Sequence, residues 1–477
     1  MRLKSLEGEA RESARAVKRR DPGRMYLIVQ FDEPPGEGER RRFAAGGLRL
    51  LQPVPDNGWL ISAPIDTDLA GFGASRAFAL GPGQKLSRLL AARGRRQYFL
   101  VEFHPDVHVA DATAIIRAEG VTLHDNPDLR PNHLLVRGTP EQAARIAEWD
   151  EVAYIFPASW ELRQGFPTVP CAGAVTTGGP VGQYITTVGP GWDGPGQGRA
   201  DVTYSFQRLT DRLPRDDIAR EIERAMREWS RHIDVRFFFG QNPSAPRNLN
   251  FLFARGDHGD GYPFDGPGRY LAHTFYPAPP NPEPIAGDLH LDDDETWRMG
   301  ARIDLFSVVL HELGHALGLG HADDPSAVMY PYYREVTALS PLDVSSIRQL
   351  YAAARESAES PTAAPDPAPS PAPPAPDPAP PPPASDRVAP TLSITYPVGT
   401  NVLTSEQFIV FRGSARDNVG VTQVAWFSTA AGSGVATGTT YWTTPPIPLL
   451  LGMNSITIRA YDAAGNVAWR SVTVTRR

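Results

Sequence analysis

Apolar and polar positions divide the chain into stretches of different period. Tyr26-Leu-Ile-Val-Gln-Phe31 is a β-rich run that returns as Tyr98-Phe-Leu-Val-Glu-Phe103, a spacing of 72 residues. Each copy is followed by an Ala/Arg/Glu-rich stretch that predicts a helix, over 39–46 and 110–119. In the first copy the turn Pro55-Asp56-Asn57-Gly58 leads into Trp59-Leu60-Ile61. In the second, Asn126-Pro127-Asp128 precedes His133-Leu134-Leu135-Val136, a second helix from Pro140 to Trp149, and Val152–Phe156. The order β-α-β-β-α-β predicts two ferredoxin-like α+β modules, 25–92 and 93–160.

Further along, Val202–Phe206 and Asn248–Phe253 read as strands. Between them Ile218, Ile222, Ala225, Met226, Trp229 and Ile233 recur every three or four residues, one face of a helix. The tail alternates at Ile456, Ile458 and Ala460, then Val472 and Val474, around the turn Asp462–Asn466. Short alternating strands of this kind predict an all-β sandwich over 389–477. Gly- and Pro-rich 161–197 reads as a linker, and so does 356–388, with 13 Pro between Pro361 and Pro383. Residues 1–24 are polar and read as disordered, without the 7–15-residue apolar core of a signal peptide.

Composition narrows the class. The 477 residues fit about three domains. A net charge of −7 argues against a nucleic-acid binder relying on a basic field. No apolar run reaches the ~18 residues of a membrane span. With one cysteine, Cys171, no intrachain disulfide can form.

The chemistry sits in 198–355. His311-Glu312-Leu-Gly-His315-Ala-Leu-Gly318-Leu-Gly-His321 has the form H-E-x-x-H-x-x-G-x-x-H. Residues i and i+4 share a helix face, so His311 and His315 can bind one Zn²⁺. Gly318 lets the chain bend back to present His321, and three protein ligands leave a fourth position for water, as in catalytic zinc sites. Glu312, beside the metal, can take a proton from that water as it attacks a scissile carbonyl, and pass it to the leaving amine. Asp304 is a candidate N-cap for this helix. Upstream, Arg255-Gly-Asp-His258-Gly-Asp260 runs to Asp265, His273, Asp288, His290, Asp292 and Glu295. Three His with Asp260 suit a closed structural zinc, and the carboxylates of a Gly-rich loop suit calcium. His104, His108, His124, His133 and His232 lack ligand spacing and read as surface or packing residues.

These motifs, with Met329 in Ser326-Ala-Val-Met-Tyr-Pro331, resemble the catalytic domain of the matrixins, a metzincin zinc-peptidase family. The resemblance implies a five-stranded sheet, three helices and a cleft. It implies a catalytic zinc at His311, His315 and His321, a Met-turn at Met329, and a structural zinc at His258, Asp260, His273 and His290. It further implies calcium at Asp265, Gly266, Gly268, Tyr270, Asp292 and Glu295, and assigns Asp288 to a second calcium site. That second site's other ligands fall where this chain departs from the family, in Pro-rich 277–284. Substrate is expected to pair with the edge near Leu271 and Ala272, with Tyr330 and Pro331 lining the specificity pocket. Ser340-Pro341-Leu-Asp343 is expected to open a closing helix. Matrixins are held latent by a prodomain thiolate on zinc. Here Val169-Pro170-Cys171-Ala-Gly173 lacks the flanking Arg and Asp of the family peptide, so Cys171 reads either as such a switch or as an incidental loop cysteine.

The N-terminal pair resembles propeptide modules of secreted bacterial proteases, or is a plain spacer. The C-terminal sandwich resembles bacterial immunoglobulin-like modules. The expectation is a secreted, monomeric, extracellular zinc metalloendopeptidase acting on proteins or peptides, with Zn²⁺ and Ca²⁺ as cofactors. Its sandwich would meet an extracellular-matrix or cell-surface ligand. The alternatives are a non-enzymatic adhesion protein with purely structural metals, and an intracellular processing protease.

Overall fold

The computed structural model describes residues 18–354 and 388–477, apart from 34, 55–56, 91–93, 165–167, 172, 174, 177–178, 181–186, 195, 265, 267–269, 279, 301–302, 429–431 and 465. The chain divides into two units, Met1–Ala353 and Ala354–Arg477.

The repeated pattern folds twice. Strands β1 (Arg24–Phe31), β2 (Arg49–Val54), β3 (Gly58–Pro64) and β4 (Ala74–Phe78) form an antiparallel sheet ordered β2-β3-β1-β4. Strands β5 (Gln97–Phe103), β6 (Thr122–His124), β7 (His133–Gly138) and β8 (Val152–Pro157) repeat it as β6-β7-β5-β8. Helices Glu37–Ala45, Val109–Ala118 and Pro140–Ala147 lie near the predicted places. The last is started by Thr139, whose Oγ1 accepts from Gln142 N at 3.3 Å, with Pro140 in the first turn. The copies differ where the first has only a short 3₁₀ turn, Ala70–Phe72, ended by Gly73 at φ 84°. Ile115, Ile116, Ala143 and Ile146 of the second copy's helices bury against Phe99, Val101 and Val136.

Two expectations of irregular chain need correction. Residues 18–24 are tied down: Arg19 Nε meets Asp150 Oδ2 at 2.7 Å, and the Arg20 amide donates to Glu151 Oε1 at 2.6 Å. Those partners are more than 120 residues away, so local sequence carries no sign of them. Residues 1–17 lie outside the described part. The supposed linker 161–197 also has structure. It carries the helix Trp160–Gln164, the short strands β9 (Val175–Thr176) and β10 (Gly179–Pro180), and backbone bridges Pro170–Tyr332, Val175–Phe275 and Thr187–Leu319.

The next sheet has five strands: β11 (Ala200–Arg208), β12 (Val235–Phe239), β13 (Asn248–Ala254), β14 (Ala272–Thr274) and β15 (Leu289–Asp292), in the order β12-β11-β13-β15-β14. Only the β14–β15 pair is antiparallel, which leaves β14 at the edge beside the cleft. Helix Arg215–Ser230 buries Ile218, Ile222, Ala225, Met226 and Trp229, as the periodicity predicts. Helix Leu305–Ala316 is apolar nearly all round and lies within the core. Its cap is Asp304, accepting from Ser307 N at 2.9 Å. Trp229 Nε1 donates to Leu310 O at 3.0 Å and locks the two helices together.

In the second unit, a five-stranded and a three-stranded sheet contribute to one core, including Leu392, Phe411, Trp426, Trp442, Ile456, Ile458, Val472 and Val474. The alternating positions read from the sequence are those that point inward.

Candidate metal centre and cleft

Helix Leu305–Ala316 sets His311 and His315 one turn apart, with ring centroids 4.8 Å from each other. Gly318, at φ 104°, turns the chain so that the His321 ring lies 4.9 Å from that of His315. A β-carbon at 318 would also meet Leu350 Cδ1 at 2.9 Å. His311 Nδ1 faces Val328 O and His315 Nδ1 faces Leu319 O, each at 2.7 Å. A carbonyl only accepts, so both Nδ1 atoms carry the proton and both Nε2 atoms present lone pairs. His311 Nε2 is buried and has no hydrogen-bond partner among the described residues. Burial, then the neighbouring imidazoles, holds His315 and His321 well below the usual histidine range, keeping them neutral. Convergent neutral imidazoles with an unsatisfied lone pair fit zinc.

Met329 is buried and packed on Gly314, next to His315 in the chain; a β-carbon at 314 would overlap Met329 Sδ. The turn is held by Asp343, whose carboxylate accepts from Val328 N at 2.8 Å and Met329 N at 3.2 Å. The same residue closes the capping box of helix Pro341–Ile347 with Ser340. The sequence marks Ser340-Pro-Leu-Asp343 as a helix start; the hold on the Met-turn is visible only in three dimensions.

Glu312 is buried, and Thr274 Oγ1 on β14 donates to its Oε2 at 2.6 Å. Its Oε1 lies 3.6 Å from Cys171 Sγ, which is 3.7 Å from His315 Nε2. Cys171, His311, His315 and His321 thus offer four ligand atoms, all within 4.8 Å of one another. Burial first, then the charge of Glu312, pushes the Cys171 thiol up. The segment carrying Cys171 threads the cleft: Cys171 N donates to Pro331 O at 2.9 Å, and Tyr333 N to Val169 O at 2.7 Å. Around it, Leu271, Ala272, Val308, Tyr330 and Val336 help line the cleft. The side chains of Tyr330 and Tyr332 also enter the core of the second α+β module, beside Leu100, Leu135 and Phe156. Tyr332 Oη lies 2.8 Å from His133 Nδ1 and accepts from Arg130 N at 3.2 Å. His133 is therefore a packing histidine, but one at the seam with the cleft.

The second cluster also assembles. Asp260 Oδ2 lies 2.9 Å from His258 Nε2 and 2.7 Å from both His273 Nε2 and His290 Nδ1. Although burial raises Asp260, hydrogen bonds from His273 and His290 take it well below the ordinary carboxylate range. Three imidazole nitrogens and a carboxylate oxygen converging on one point suit a closed tetrahedral zinc. Of the residues assigned to calcium, Asp292, the last residue of β15, and Glu295, in the turn after it, are buried, and Gly266 and Tyr270 are half-buried. Asp265 and Gly268 lie outside the described residues. Asp288 accepts from Asn250 N at 3.1 Å, and burial pushes it up to about 8.

Residues 196–352 match the family model described as Matrixin. Over these residues the chain is similar to the matrixins. It is 42% identical over 156 residues to rat (Rattus norvegicus) matrilysin, covering 31% of this chain and 56% of that protein. The chain is 38% identical over 175 residues to horse (Equus caballus) interstitial collagenase, covering 36% of this chain and 35% of that protein. Over 193 residues it is 38% identical to mouse (Mus musculus) stromelysin-1, covering 39% and 37%. The chain thus spans about half or less of the length of the curated relatives it matches. Residues 4–79 match a model described only as a domain of unknown function, DUF8729. Outside the segment that matches the Matrixin model, the chain adds the two antiparallel α+β sheets and the strand-rich C-terminal unit.

Sequence reasoning missed Thr274, Asp343's second role, and the grip on Tyr330 and Tyr332. None has a local signal, because each joins positions brought together only by packing.

Proposed function

We propose that this chain is a zinc-dependent metalloendopeptidase held latent by its own N-terminal part. The observation that carries the reading is the convergence of His311, His315 and His321 with Glu312 beside them and Cys171 facing all four. When bound, zinc supplies a Lewis acid that polarises water and the scissile carbonyl. The three histidines would hold the ion, His311 and His315 through Nε2 atoms oriented by the carbonyls of Val328 and Leu319 on their Nδ1 atoms. Thr274 fixes Oε2 of Glu312, so Oε1 faces the cleft, positioned to take a proton from water and return it to the leaving amine. Leu271 and Ala272 offer the edge for an extended substrate, and Tyr330, which lines the cleft, is taken with Pro331 as the wall of the specificity pocket.

In the latent state Cys171 Sγ, 3.7 Å from His315 Nε2, would occupy the position otherwise left for water. A nearby Zn²⁺ would stabilise the thiolate against the burial that raises it. The missing Arg and Asp of the family peptide are replaced by the second module, which grips Tyr330 and Tyr332 directly. The same reading takes the two N-terminal sheets as ferredoxin-like inhibitory modules, bounded as 25–92 and 93–160. It takes His258, Asp260, His273 and His290 as a structural zinc site. It takes Asp265, Gly266, Gly268, Tyr270, Asp292 and Glu295 as a calcium site, with Asp288 as a ligand of a second. The C-terminal unit is taken as an immunoglobulin-like module of a secreted, monomeric protein, available for a matrix or cell-surface ligand.

The test is casein cleavage by full-length chain before and after capping Cys171 with a small thiol reagent. Wild type should be nearly silent before capping and active after. Capped Glu312→Ala and chelated wild type should both stay silent. A capped wild type without cleavage overturns the peptidase reading. Equal activity before and after capping overturns latency.

A further inference from the structure

Asn281 lies in the Pro-rich stretch 277–284, and it is completely buried. Its Nδ2 donates to two main-chain carbonyls: Tyr276 O at 3.0 Å, within its own loop, and Val175 O at 2.9 Å, in the segment that fills the cleft. Val175 also pairs with Phe275, and Tyr276 N reaches Val175 O at 3.4 Å. The carboxamide is thus the shorter of two donors on one carbonyl. The loop bond to Tyr276 aims it before anything enters the cleft. Around it the loop is stiffened by Pro280 and Pro282 and tethered by Arg247 N donating to Glu283 Oε1 at 3.0 Å. A donor aimed in this way and buried is costly to leave unmatched.

We propose that Asn281 is a positioning residue for any extended chain in this cleft, holding one main-chain carbonyl on the side of the zinc ligands away from the Tyr330–Val336 pocket. In the latent protein that carbonyl belongs to Val175. During turnover it belongs to a substrate residue. Val175 is four residues from Cys171, and an extended chain advances about 3.3 Å per residue. The substrate carbonyl therefore lies at most roughly 13 Å from the reacting bond. Because the contact is to main chain, it selects for length and extension rather than for side-chain identity. This rests on the peptidase reading above and adds to it a requirement for substrates long enough to reach Asn281.

Two measurements on the full-length chain test it. The first is the rate at which a small thiol reagent modifies Cys171, which reports release of the segment and needs no catalysis. Loss of one neutral hydrogen bond, worth ~1 kcal/mol, corresponds to about fivefold. Asn281→Ala should be labelled about fivefold faster than wild type. Asn281→Asp, of the same size but with no donor, should be at least as fast. The second uses the capped proteins and two peptides that differ by two residues at the end reaching Asn281. Wild type should prefer the longer peptide, and Asn281→Ala should lose about fivefold of that preference, mainly in KM. Unchanged labelling in both variants, or an equal loss on both peptides, overturns the proposal. If capped wild type cleaves neither peptide, the peptidase reading falls with its substrate half. The labelling rates then still decide the hold on Val175.

Discussion

Thr274→Val removes a hydroxyl and keeps the shape of the side chain. Thr274 is completely buried, and its Oγ1 donates to Glu312 Oε2 at 2.6 Å, short for a hydrogen bond and aimed at a carboxylate. Hydrogen bonds to charged groups contribute ~1.5–3 kcal/mol. No other contact of the Thr274 hydroxyl competes with this one among the described residues. Without it, Oε2 faces an apolar methyl, and the carboxylate is free to rotate about its last bond, so Oε1 is no longer held toward the cleft. If the whole contact is expressed in the transition state, kcat/KM falls by about 10- to 150-fold, since ~1.4 kcal/mol is tenfold. The fall should lie in kcat, because Thr274 does not reach substrate. Thr274→Ser keeps the hydroxyl and should recover most of the loss. The assay is steady-state cleavage of a fluorogenic peptide by thiol-capped full-length protein, with melting temperatures to show that the fold is intact. A kcat within twofold of wild type in Thr274→Val, or a Thr274→Ser variant as slow as Thr274→Val, would refute the reasoning.

Gly314→Ala places a β-carbon onto Met329 Sδ and within 3.0 Å of Trp229 Cζ2, so it should lower stability by about 1–3 kcal/mol and lower activity with it, read by thermal melting and peptide cleavage. His258→Ala removes one of four converging ligands and should cut bound zinc from two equivalents to one by elemental analysis while leaving the catalytic histidines untouched. Burial of Glu102, opposed by the Arg130 charge and the Asn132 hydrogen bond, pushes it up to about 7. Its folded form keeps a proton that the unfolded chain releases near pH 4.5, so stability falls as pH rises from about 4.5 to 7. Glu102→Gln should therefore melt like wild type at pH 5 and higher than wild type at pH 8; equal melting at both pH values would contradict this.

Much of the site was legible because its information is local. The spacing of His311 and His315 follows from 3.6 residues per turn, and Gly318 supplies the only backbone freedom that the return to His321 requires. Asp304 and Ser340 announce their helices because a cap acts within three residues. The recurrence of Tyr26–Phe31 at Tyr98–Phe103 exposed the repeated sheets, since alternation along a strand survives without knowledge of its partners.

What the sequence could not decide concerns partners far apart in the chain. Residues 161–197 look like a spacer because Gly and Pro give no period. Yet Val169, Cys171 and Val175 find backbone partners more than 90 residues away, at the edges of a cleft that exists only after folding. Whether Cys171 is an idle thiol or a fourth group facing the histidines depends on that threading. The Val-Pro-Cys-Ala-Gly sequence has no bearing on it. The same holds for Thr274 on Glu312, Asn281 on Val175 and the module that seats Tyr332 against His133. Residue types and local spacing determine which chemistry the chain can perform. The long-range register of strands and loops decides which polar groups meet, because burial makes a lone donor or acceptor costly and tertiary contact supplies its partner.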